Sequence, residues 1–154
     1  MPKKAISILY VDDEANNLIA FRAVFRTKYT IFTALSGLEG LEVLNENDIQ
    51  IIITDQRMPN MTGVEFLEEV IQKYPAPIRI LLTGYTDMSA IVDAINKGSI
   101  FQYLNKPWDE DELEEVIQKA YDVYLKKVEI MEEKKELSIT NKQLEFLLRQ
   151  KLLT

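Results

Sequence analysis

Five side chains in this sequence could act together chemically: Asp12, Asp13, Asp55, Thr83 and Lys106. They supply three carboxylates, a hydroxyl and an amine. What the chain lacks narrows the chemistry further. It has no cysteine and no histidine, which removes thiolate nucleophiles, Ser-His-Asp and Cys-His catalysis, and most zinc sites. Any metal is then a hard cation held by oxygen. Asp55 stands at the centre. It follows the β-branched run Ile51-Ile52-Ile53-Thr54 and precedes Met58-Pro59 and Gly63, which force a loop. A carboxylate delivered to the end of an apolar strand is costly there unless something binds it.

The elements that must position these groups can be read from periodicity. Short apolar runs at Ala5–Val11, Tyr29–Ala34, Ile49–Thr54, Ile78–Leu82 and Phe101–Leu104 predict five strands. Helical spacing of Leu18, Phe21 and Phe25 predicts a helix over Ala15–Arg26. Ser36-Gly37-Leu38-Glu39 and Thr62-Gly63-Val64-Glu65 read as capping boxes opening the next two helices. Thr86 is the expected cap of a fourth helix closed by Gly98, and Asp109, with Glu112 three residues on, the cap of a fifth. Strand and helix alternate five times, so a parallel sheet covered on both faces is expected. In such sheets sites form at the carboxyl ends of the strands. Those ends carry Asp12 and Asp13, Asp55, Thr83 and Lys106, while the second strand ends on Ser36, needed as a cap.

Each residue has an ordinary structural alternative. Paired acids after a strand often charge a helix N-terminus, a lone Thr caps locally, Lys-Pro makes a surface turn, and an Asp can close a turn through its own side chain. All four alternatives would have to coincide at one edge of one sheet. Bulk properties agree with a globular domain: 47% hydrophobic and 28% charged residues fit a packed core with a solvated surface. The net charge of −7 disfavours direct nucleic-acid binding through the surface at large. The apolar run after Lys3-Lys4 is short, contains Ser7 and ends on acids, unlike a signal peptide, and no stretch is long enough to span a membrane. A cytoplasmic location is expected.

The combination Asp12-Asp13, Asp55 with Met58-Pro59 and Gly63, Thr83-Gly84 and Lys106-Pro107 resembles the receiver domain of bacterial two-component response regulators, over residues 4–124. The resemblance implies a flavodoxin-like doubly wound sheet of order 2-1-3-4-5. It implies that Asp55 accepts a phosphoryl group from a histidine kinase or phosphotransfer protein. It further implies Mg²⁺ held directly by Asp13, Asp55 and the backbone carbonyl of Arg57, with Asp12 acting through water. Lys106 would neutralise one phosphoryl oxygen, and Thr83 and the Gly84 N–H would bind others. Tyr103 occupies the place of a switch aromatic that follows Thr83 and remodels the surface of the fourth helix, fifth strand and fifth helix. Lys106-Pro107 is expected to be cis. Arg57 and Tyr85 lie where the family controls water access, so the acyl phosphate is expected to be long-lived; Gly84, where Ala is common, leaves room beside it.

From Asp109 onward neither glycine nor proline interrupts a helix, which is expected to run to about Leu153. Tyr121, Tyr124, Val128 and Met131 follow one heptad register, and Ile130, Leu137, Leu144 and Leu148 another, with Asn141 at an a-like position. Residues 125–154 read as a coiled-coil stalk whose expected partner is a second copy of the chain, or as a linker to an output domain. The wording Thr-Asp-Gln-Arg-Met-Pro and Leu-Thr-Gly-Tyr-Thr-Asp resembles receivers joined to diguanylate cyclase or HD-GYP phosphodiesterase domains, though nothing here encodes such an enzyme. Two other functions compete: an Mg²⁺-dependent aspartyl-phosphate phosphatase of the haloacid dehalogenase kind, and a receiver-like structural module that takes no phosphate. The first needs an acid two residues after Asp55, where Arg57 stands. The expectation is a signalling domain rather than an enzyme.

Overall fold

The computed structural model describes residues 6–84 and 88–153. Five strands, β1 (Ser7–Val11), β2 (Thr30–Ala34), β3 (Ile51–Asp55), β4 (Ile78–Thr83) and β5 (Gln102–Asn105), alternate with five helices. The helices are α1 (Ala15–Phe25), α2 (Gly37–Glu46), α3 (Gly63–Lys73), α4 (Met88–Asn96) and α5 (Glu110–Leu153). The strands form one parallel sheet in the order β2-β1-β3-β4-β5. The expected flavodoxin-like order is thus present, with its topological switch point between β1 and β3.

Alternation along the strands divides the core in two. Ile8, Tyr10, Ile51, Ile53, Ile80 and Leu82 pack with Leu18, Phe21 and Phe25 of α1 and Leu113, Val116 and Ile117 of α5. Leu9, Val11, Ile52 and Leu81 pack instead with Leu44, Phe66, Leu67, Val70 and Ile91 from α2, α3 and α4. Each central strand is therefore buried on both faces, which is why it reads as an unbroken apolar run.

The helix ends follow their sequence signals with one exception. Thr62 and Glu65 form a reciprocal capping box, the Glu65 carboxylate accepting the Thr62 N–H at 2.9 Å. Asp109 accepts the Glu112 N–H at 3.0 Å. Gly98, at φ +80°, ends α4: its N–H donates to Ile95 and the Ser99 N–H to Ala94, the pair of bonds that defines a Schellman ending. At α2 the predicted box is incomplete. Ser36 accepts the Glu39 N–H, but the Glu39 carboxylate takes the N–H of Leu35 rather than that of Ser36. The expected Thr86 cap lies outside the described residues.

Two units are distinguished, Met1–Tyr124 and Leu125–Thr154. In the second, α5 carries Ile130, Leu137, Leu144, Phe146, Leu147 and Leu148 with more than half of each exposed. Among the described residues no helix is long and apolar enough to cross a membrane.

Candidate functional site

Register brings the chemistry together. Val11 pairs with Thr54, so Asp12 leaves β1 beside Asp55 at the end of β3. Asp55 pairs with Leu82, one residue before Thr83, and Thr83 pairs with Asn105, one residue before Lys106. The Lys106 N–H donates to the Thr83 carbonyl at 2.8 Å, and the Lys106-Pro107 bond is cis. Four separate pieces of sequence thus meet at the carboxyl edge of the sheet.

The acids are crowded. One oxygen from each of Asp12, Asp13 and Asp55 can be chosen so that all three lie within 4.8 Å of one another. Asp12 and Asp55 are buried while Asp13 is exposed. Burial pushes the Asp55 carboxyl above its usual range and Asp12 adds to the rise, whereas Lys106 and the Gln56 N–H pull it back. Lys106 Nζ lies 3.2 Å from Asp55 Oδ1 and 3.7 Å from Asp12 Oδ2. A self-repelling cluster of oxygens with one open, exposed member suits a hard divalent cation that keeps several waters.

Thr83 is fully buried, and among the described residues its hydroxyl is the one buried side-chain polar atom without a hydrogen-bond partner. Buried hydroxyls are rarely left so. A Cβ added at Gly84 would meet nothing within 4 Å among the described residues. Arg57 is exposed in the loop after β3. Tyr103 is half-buried and packs against the α3/α4 side of the core. Tyr85 lies outside the described residues.

Three residues at this edge carry no obvious sequence signal. Tyr10 donates its hydroxyl to Asp12 Oδ2 at 2.8 Å, and Asn17 Nδ2 donates to the same oxygen at 3.1 Å. Asp12 Oδ1 accepts the Glu14 N–H at 3.0 Å, so Asp12 also closes the turn into α1. Gln56 fastens the loop after β3. Its N–H donates to Asp55 Oδ1, its side-chain oxygen accepts the Val64 N–H, and its carbonyl accepts the Gly63 N–H. Gly63 must be glycine there, since a Cβ would stand 2.3 Å from the Asp55 carbonyl oxygen. Asn60 takes φ 71° in the same loop, a conformation asparagine tolerates.

Fold and edge chemistry place the chain among doubly wound α/β domains whose site lies at the switch point. The family model described as the response regulator receiver domain matches residues 8–118, and the chain belongs to that family. The hydrogenase transcriptional regulatory protein HoxA of Cupriavidus necator is 38% identical over 120 residues, which are 78% of this chain and 25% of that protein. The DNA-binding transcriptional regulator NtrC of Escherichia coli is 33% identical over 113 residues, 73% of this chain and 24% of its own. The chain thus spans about a quarter of the length of these relatives. Among solved structures, the signal receiver domain of an HD domain-containing protein from Pseudomonas fluorescens Pf-5 superposes with a TM-score of 0.75 at 33% identity. That likeness covers 79% of this chain and 98% of the other.

Proposed function

We propose that Asp55 is the phosphoryl acceptor of this receiver domain. Support comes from the buried, unpartnered Thr83 hydroxyl at the strand end beside Asp55 and Lys106. A phosphoryl group on Asp55 would give that hydroxyl the acceptor it lacks. In the transfer, the P–N bond of a phosphohistidine on a partner kinase breaks and a P–O bond to an Asp55 carboxylate oxygen forms. The electron pair returns to the imidazole, which takes up a proton from solvent. Asp55 attacks as a carboxylate, so no base is required.

The remaining residues act on charge. Lys106, already 3.2 Å from Asp55, shifts to a phosphoryl oxygen as a point charge. The Gly84 N–H binds another oxygen. Asp13, Asp55 and the carbonyl of Arg57 would hold Mg²⁺, with Asp12 acting through water, and the ion would supply the charge neutralisation that lets two anions approach. Thr83 moving towards the phosphoryl group frees volume for Tyr103, which biases the surface of α4, β5 and α5 towards a second arrangement. Residues 125–154 act as a stalk that pairs with a second copy or leads to an output domain. The matched receiver of an HD domain-containing protein, and HoxA and NtrC, of which this chain spans about a quarter, support the output-domain reading.

Beryllofluoride with Mg²⁺ tests the reading. Bound at Asp55, it shifts the amide resonances of Thr83, Gly84 and Tyr103 in the wild type and leaves Asp55→Asn unchanged. Identical responses from the two proteins would refute it.

A further inference from the structure

Asp12 is fully buried, yet its carboxylate is held from several sides. The Glu14 N–H fixes Oδ1, while Tyr10 and Asn17 both donate to Oδ2, with Lys106 Nζ 3.7 Å away. The two side-chain donors differ in stiffness. Asn17 is half-exposed on α1, whereas Tyr10 has no exposed surface. The Tyr10 ring lies 4.4 Å from that of Phe21; Phe21 lies 4.9 Å from Phe25, and Trp108, two residues after Lys106, packs against both.

We propose that Tyr10 is a positioning residue for the cation site: its hydroxyl, held by the aromatic cluster beneath the sheet edge, fixes the rotation of the Asp12 carboxylate that faces Asp13 and Asp55. The inference rests on the reading of this edge as an Mg²⁺-dependent phosphoryl acceptor. Losing a group that orients a direct metal ligand from behind weakens metal binding by roughly tenfold or more; Asp12 acts through water, so about tenfold is the upper end for Tyr10. A tyrosine that merely filled the core would change stability when altered, not cation affinity.

Tyr10→Phe keeps the ring and removes the donor. Calorimetric titration with Mg²⁺ should show affinity weakened by up to about tenfold. The Mg²⁺ concentration giving half-maximal phosphorylation by acetyl phosphate should rise by the same factor. The rate at saturating Mg²⁺ should return to within about twofold of wild type, because a lost orienting contact weakens uniform binding rather than the chemical step. Phe25→Leu, two rings from the site, should lower the melting temperature and leave Mg²⁺ affinity in place. Asn17→Ala, which removes the softer donor to the same oxygen, should weaken Mg²⁺ binding less than Tyr10→Phe. The proposal is overturned if Tyr10→Phe binds Mg²⁺ as tightly as wild type, if only its saturated rate falls, or if Asn17→Ala has the larger effect. Calorimetry reads cation binding whether or not phosphate is transferred, so a failure of Asp55 as acceptor is seen separately, in the wild-type phosphorylation itself.

Discussion

Asp55 is 6% exposed and its carboxyl is pushed up chiefly by burial, with Lys106 only partly offsetting the cost. Because its folded pKa lies above its unfolded one, the folded chain holds more protons between those two values. Stability therefore falls as pH rises through that window, and the cost is fully present above it. Asp55→Asn removes the buried charge. In Mg²⁺-free buffer at neutral pH it should raise the melting temperature by a few degrees, about 1 kcal/mol, with the gain shrinking as pH falls through the folded pKa. A melting temperature below wild type would show that the Lys106 pairing outweighs desolvation. Asp12, Asp13, Asp55, Thr83 and Lys106 were legible in the sequence because strand-end position alone brings them together. Tyr10, Asn17 and Gln56 were not. Their importance depends on contacts across two, five and eight residues, Tyr10 to Asp12, Asn17 to Asp12 and Gln56 to Val64, that periodicity cannot express.

Strand ends shifted for one physical reason. The expected strands stopped at Thr54, Leu82 and Leu104, whereas β3, β4 and β5 run on to Asp55, Thr83 and Asn105 because neighbouring strands still offer ladder partners. Asp55 and Thr83 are thus held on rigid ladder, whereas Asp12 and Lys106 each follow one residue beyond it. Arg79 in β4 is a second feature that burial hides from sequence reading. Arg79 is 7% exposed, and its guanidinium donates to the carbonyls of Pro75, Pro77, Gly98 and Ser99, joining the loop before β4 to the end of α4. Burial lowers its pKa. Arg79→Met should fill much of the space yet strip donors from several buried carbonyls, costing about 2–4 kcal/mol in denaturant unfolding. A loss below about 0.5 kcal/mol would mean that water replaces those donors freely.

The elements of the first unit were legible because hydrophobic period, caps and strand-end residues all agree on a parallel sheet alternating with helices. The order 2-1-3-4-5 itself came from family resemblance, since alternation alone fixes parallel strands but not their order. The tail was legible as helix and not as an assembly. Ile130, Leu137, Leu144 and Leu148 mark one heptad register, while the exposed Ile139, Phe146 and Leu147 fall outside it. If residues 125–154 pair with a second copy, sedimentation should give a dimer for the full chain and a monomer for a chain ending at Tyr124. A monomeric full chain would assign that apolar surface to another partner. The central claim, Asp55 as phosphoryl acceptor, is tested most directly by intact-mass measurement after incubation with acetyl phosphate. We predict a gain of one phosphoryl group in the wild type that requires Mg²⁺, is absent in Asp55→Asn, and maps to the peptide containing Asp55. An unmodified wild type, or equal modification of Asp55→Asn, would contradict it.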